Sequence, residues 1–194
     1  ETVPDYYVGY HSRAWYKEHV NDYDGALEDY TTATTLNPDD SAPIMARGNL
    51  YLLKGEPELA RKDFERVIQI DTIPENGSRT MYALMRLGRN EEAIDWMNKM
   101  LESSDDEGVR YEAACLYSLM GDSDNSLFYL EESLKGGNKS YSHIMTDNDL
   151  INIRDLDSFN VLMEKYFPNE VKANLSNKAF IEYKEHVAEV PFTR

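Results

Sequence analysis

Glu56-Pro57-Glu58-Leu59-Ala60-Arg61 decides the fold, because the chain repeats its pattern three more times at nearly constant spacing. The counterparts are Asp22-Tyr23-Asp24-Gly25-Ala26-Leu27, Arg89-Asn90-Glu91-Glu92-Ala93-Ile94 and Asp122-Ser123-Asp124-Asn125-Ser126-Leu127. The small residue near the end of each (Ala26, Ala60, Ala93, Ser126) recurs after 34, 33 and 33 positions. A period in this range is that of a solenoid, whose units bury their apolar faces only against their neighbours. Such arrays present surfaces rather than reaction centres, so the repeat says more about architecture than about chemistry.

Outward from Ala60, each period holds two helical patterns. Ile44, Arg47, Gly48 and Tyr51 share one face at i, i+3, i+4, i+7 spacing, and after Gly55 a second helix carries Ala60, Phe64 and Val67. Gly88 and Gly121 repeat the turn at Gly55, and Asn21 takes that place in the first period, since Asn tolerates the left-handed conformation that ends a helix. Pro38 in Asn37-Pro38-Asp39-Asp40 cannot continue the preceding helix and suits the start of the next. Gly48, Ala60, Ala93 and Ala114 read as points where paired helices cross closely; a larger residue there overpacks the seam.

These residues resemble the tetratricopeptide repeat (TPR), whose run is Trp-x2-Leu-Gly-x2-Tyr, then Ala-x3-Phe, then Ala and Pro. The second unit matches best, through Ile44, Arg47-Gly48, Tyr51, Ala60, Phe64 and Val67. The first shows Tyr10, Ala14, Tyr23, Ala26, Tyr30, Ala33 and Pro38, and the fourth Ala114, Tyr117, Gly121, Leu130 and Ser133. The third diverges, with Gly77, Met81 and Met97 at the aromatic, small and Phe places. The resemblance implies an all-α, right-handed α-α superhelix of antiparallel pairs over residues 5–137, in units of about 7–40, 41–73, 74–106 and 107–137.

Residues 138–167 read as capping helices, and Asp147 to Phe159 resembles the closing segment of many bacterial TPR proteins. Tyr141, Ile144 and Met145 fall on one helix and Leu156, Phe159, Leu162, Met163 and Tyr166 on the next, with Asp155 or Asp157 as N-cap. Residues 168–194 read as a tail. Partial alternation from Phe180 to Phe192, with Pro191 inside, suggests a strand that must pair with something else. Residues 184–192 resemble the lead-in to a retropepsin-like aspartic protease domain in some bacterial TPR fusions, although no Asp-Thr-Gly triplet occurs. The start, Glu1-Thr2-Val3-Pro4-Asp5, lacks the basic and apolar parts of a signal peptide and has no Met, so a removed leader or an excised piece is expected.

Thirty-six acidic residues against twenty basic ones give a formal charge of −16. That excess argues against nucleic acid or an anionic membrane surface as partner, since both select basic patches. No apolar run reaches spanning length, so no membrane insertion is expected. A single cysteine, Cys115, excludes an internal disulfide but leaves the compartment, cytoplasmic or periplasmic, undecided.

No pattern predicts catalysis, a metal or a cofactor. The four histidines are scattered without a His-Glu-x-x-His motif. Asp122-x-Asp124 and Asp147-x-Asp149 lack the Gly and Glu of a calcium loop and read as helix caps. Cys115, among Ala113, Ala114 and Leu116, reads as a buried thiol.

In TPR arrays the first helix of each pair lines a concave groove. Carried over, the resemblance implies groove positions at His11, Trp15 and His19, at Met45, Asn49 and Leu52, at Tyr82, Met85 and Arg86, and at Tyr111 and Ser118. Met45 and His11 stand where a carboxylate clamp needs Lys, so no such clamp is expected. The implied function is a non-enzymatic scaffold holding a protein or peptide segment. Two other readings stand beside it: a regulatory or substrate-presenting module of a larger enzyme continuing after Arg194, and a homo-dimer formed through the tail strand.

Overall fold

The computed structural model describes residues 6–74, 77–138 and 140–174. Every regular element among them is helical. The chain divides into two compact units, residues 1–105 and 106–194.

The first unit holds α1 (Tyr6–His19), α2 (Tyr23–Leu36), α3 (Ser41–Leu53), α4 (Pro57–Ile70), α5 (Arg79–Arg86) and α6 (Asn90–Ser103). They pack as antiparallel pairs, α1 with α2, α3 with α4 and α5 with α6, and α2 against α3 and α4 against α5 join one pair to the next. The turns inside the pairs share one device. Asn21, Gly55 and Gly88 take φ of +62°, +74° and +74°. This lets the next residue's N–H reach back five positions: Asp22 to Lys17 O at 2.8 Å, Glu56 to Tyr51 O at 2.8 Å, Arg89 to Leu84 O at 2.9 Å. Asp22 then caps α2 and Asp40 caps α3, while Pro57 opens α4. Pro38 does not begin a helix as its sequence suggests. It sits in the loop between Asn37 and Asp40, and α3 starts at Ser41 under the Asp40 cap.

Within each pair the seam is set by a small residue facing a large one. Ala14, Ala26 and Tyr30 are fully buried in one cluster, and Ile44, Ala60, Phe64, Val67 and Ala83 form the next. A Cβ added to Gly48 would lie 2.7 Å from the Phe64 ring and 3.2 Å from Asp63 Cβ. The third pair inverts the arrangement. Met81 fills the small place and Met97 replaces the ring, both buried, and flexible thioethers accommodate the swap. Its first helix is only eight residues long. The chain before it is held by Thr80 Oγ1 donating to Asp71 O at 2.6 Å and Trp96 Nε1 donating to Gly77 O at 3.4 Å.

The second unit begins with α7 (Glu107–Leu119) and α8 (Ser123–Gly136), a fourth pair whose turn has Gly121 at φ +80° and Asp122 as cap. Ser126 Oγ donates to Ala114 O at 2.8 Å, so the hydroxyl that replaces alanine at this seam is satisfied. There follow α9 (Tyr141–Thr146), a 3-10 turn (Asn148–Leu150), α10 (Ile151–Arg154) and α11 (Asp157–Tyr166). Ile144, Leu150, Ile153 and Phe159 are fully buried here. α11 follows Leu156 with no side-chain cap, so neither Asp155 nor Asp157 plays the capping part expected of it. Residues 168–174, beginning at Pro168, are helical. The strand expected over 180–192, and dimerisation through it, lie outside the described residues.

Candidate functional site

Trp15, Asn49 and Tyr82 each follow the seam residue of their pair (Ala14, Gly48, Met81) by one position, at intervals of 34 and 33. One residue past a seam is about 100° round the helix from the face that meets the pair partner. Trp15 is 55% exposed, with its ring centroid 3.8 Å from that of His19, whose Nδ1 lies 2.8 Å from Trp15 O. His11 is half-buried against the Tyr30 ring at 5.8 Å. Leu52 and Leu53 are exposed, Tyr82 and Met85 half-buried, and Arg86 is exposed in the last turn of α5. Met45 packs on the Phe64 cluster. The carboxamide oxygen of Asn49 is buried and finds no hydrogen-bond partner among the described residues. A buried amide oxygen left without a partner is an unsatisfied acceptor.

In the second unit the corresponding residues turn inward. Ser118 is fully buried and Tyr111 nearly so. Tyr111 Oη donates to Asp147 Oδ2 at 2.8 Å, and Cys115 Sγ lies 3.9 Å from the same oxygen. Burial, foremost, and the Asp147 charge push the Tyr111 phenol well above its ordinary range, so it stays a donor. Asp147 also accepts from Asp149 N through Oδ1 at 2.9 Å, and its carbonyl accepts from Arg154. Asn152 Nδ2 donates to Ser118 O at 2.8 Å. The Asp147–Arg154 stretch therefore fastens onto α7, and Tyr111 is one of its fasteners rather than an open contact.

The sequence reading missed two ion pairs. Arg13 grips Asp29 through two nitrogens at 2.6 Å, and Arg47 grips Asp63 likewise at 2.8 and 2.7 Å. Lys17 adds a third cationic contact to Asp29 at 2.9 Å. The Arg13 guanidinium, foremost, holds the Asp29 carboxyl below the usual carboxylate range against the opposing effect of burial. Arg47 also donates to Thr34 Oγ1 at 2.9 Å, tying α3 back to α2. Both members recur after 34 residues, and that joint recurrence was the available signal.

Among the described residues no group of His, Cys, Asp and Glu side chains is placed to hold a metal ion. No described helix is long and apolar enough to cross a membrane. The profile of the tetratricopeptide repeat family matches residues 44–73 and 108–135, which cover the pairs α3/α4 and α7/α8. The chain carries tetratricopeptide repeats at these two pairs. TPR proteins are helical protein-binding modules and are typically non-enzymatic. Protein FlbA of Caulobacter vibrioides is 29% identical over 137 residues, 66% of this chain, and the match spans only 22% of FlbA. Among solved structures, MamA aligns at 18% identity over 98% of this TPR chain and 99% of its own, with a TM-score of 0.46. YrrB, described as a TPR protein with an unusual peptide-binding site, aligns at 16% identity over 87% and 90%, with a TM-score of 0.43.

Proposed function

We propose that this TPR protein is a non-enzymatic scaffold that holds a protein or peptide segment on the first-helix face of its first unit. The recurrence of Trp15, Asn49 and Tyr82 at one structural place on α1, α3 and α5 carries this reading. Trp15 and Tyr82 supply rigid amphipathic surface, Leu52, Met45 and Met85 supply adaptable apolar surface, and Asn49 offers its unpaired acceptor to a main-chain N–H. His11, His19 and Arg86 supply polar contacts around them. Tyr111 and Ser118 have no part in it, because a ligand reaching them would first have to unseat the Asp147 segment.

Affinity capture with the wild type and with a Trp15→Ala, Tyr82→Ala double variant tests the proposal. Circular dichroism should show equal helicity for the two. A partner held by the wild type and lost by the double variant is the expected result. A partner held equally by both would remove this face from consideration.

A further inference from the structure

The fourth pair departs from its siblings on its outer face. Phe128 of α8 occupies the place that Glu28, Lys62 and Asp95 hold on α2, α4 and α6, all four of them exposed. A charge at this place keeps each earlier second helix wet. The fourth instead presents a ring that is 56% exposed. Val161 of α11, 64% exposed, stands beside it, and the two flank a slot of about 360 Å³ floored by Leu127 and the buried Leu162. An exposed aromatic and aliphatic pair around a concave slot marks an interaction site more often than a solvated surface.

The rim shows what fits there. The charged residues lining the slot are Asp124, Glu131 and Lys165, and over their whole lengths α8 and α11 carry five carboxylates against two lysines. Both lysines are already engaged, Lys165 with Glu131 at 2.6 Å and Lys135 with Glu132 at 2.7 Å. Asp124, Asp157 and Glu164 have no ion pair among the described residues, and Asp124 borders the slot itself. A slot between two helices takes the side chains of a third. We infer that the slot between α8 and α11 docks a basic amphipathic helix of a partner protein, its apolar residues entering between Phe128 and Val161 and its Lys or Arg side chains meeting the carboxylate rim. A second copy of this chain is disfavoured as occupant, because each copy brings a charge of −16. This surface is separate from the first-helix face of the first unit and does not depend on it.

The probe is a fluorescein-labelled synthetic Leu/Lys amphipathic helix of about 18 residues, with a Leu/Glu helix of the same pattern as its control. Anisotropy is read on the full chain and on Phe128→Lys, Phe128→Asp and Val161→Ser variants. The earlier repeats carry charges at the Phe128 place, so these variants should melt as the wild type does. The expected result is binding of the Leu/Lys helix alone, weakened about tenfold or more by each Phe128 change. Trp15→Ala with Tyr82→Ala should leave this binding intact. If Phe128→Asp binds the Leu/Lys helix as tightly as the wild type or more tightly, attraction to acidic surface is the whole effect and the docking site is refuted. Failure of the wild type to bind, or equal binding of the Leu/Glu helix, also refutes it. A wild-type dimer in light scattering that Phe128→Lys converts to monomer would assign the slot to a second copy instead.

Discussion

Gly48 and Phe64 show how much one position decides. A side chain at Gly48 meets the Phe64 ring well inside van der Waals contact. Gly48→Met should therefore lower stability by about 1–3 kcal/mol through overpacking. Phe64→Met, introduced together with it, should restore much of the loss, because the Met81 and Met97 pair already realises that solution in the third repeat. Urea melts of the two single variants and the double variant would measure the coupling; simple additivity would refute it. The small residues at these seams were legible in the sequence because close packing favours Gly, Ala or Ser there, with Met81 the exception in the third pair. The Arg13–Asp29 and Arg47–Asp63 pairs were not, since each joins residues 16 apart on different helices. Arg47 was visible as a member of a helical face and of the repeat pattern, without its partner.

Turns and caps show the same division among elements. The four left-handed turn residues, Asn21, Gly55, Gly88 and Gly121, stand where the repeat puts them, because the tight turn inside each pair uses φ > 0 whatever packs around it. The fate of the fourth first-helix could not be read that way. Tyr111 occupies a groove place by analogy, but Asp147, thirty-six residues on, captures its hydroxyl. Only the folded chain brings the two together. Tyr111→Phe should cost about 1–3 kcal/mol, the worth of a hydrogen bond from a buried donor to a half-buried charged acceptor. The loss should fall on the closing helices first. Hydrogen exchange should show faster opening across residues 141–166 than across α1 to α4. Uniform acceleration over the whole chain would contradict the fastening role of Asp147.

Acid should destabilise the molecule as a whole in a definite direction. Asp29, held low by Arg13 and Lys17, Glu92 by Arg89, Asp122 by Asn125 and Glu131 by Lys165 all titrate below their ordinary values. A carboxyl depressed by folding stabilises the fold above its unfolded value, about 3.9 for Asp, and that stability drains away as pH falls through the folded value. Of the four, Asp29 is the buried one, so it should dominate, the exposed pairs being screened by solvent. Asp29→Asn should melt lower than the wild type near neutrality and lose less on moving to about pH 3. Equal losses for the two would show that Asp29 is not the group responsible. Protonation also relieves the repulsion of sixteen excess negative charges, which acts the other way. The difference between the two proteins isolates Asp29 from that background.

The Arg–Asp pairs, whose carboxylates are buried, have a consequence for how the chain avoids misassembling. Stacked helix pairs of similar shape invite a helix to couple with a neighbour's partner during folding. The places of Arg47 and Asp63 are held by Thr80 and Trp96 in the third pair and by Ala113 and Tyr129 in the fourth. If α4 closed against α5 as its hairpin mate, Asp63 would be sealed beside Thr80 with no cation, and an unpaired buried carboxylate costs several kcal/mol. Only α1 or α3 can receive an acidic second helix without that penalty. The two salt bridges should thus penalise pairing of α2 or α4 with a first helix that lacks the arginine, while leaving α1 and α3 equivalent by this criterion.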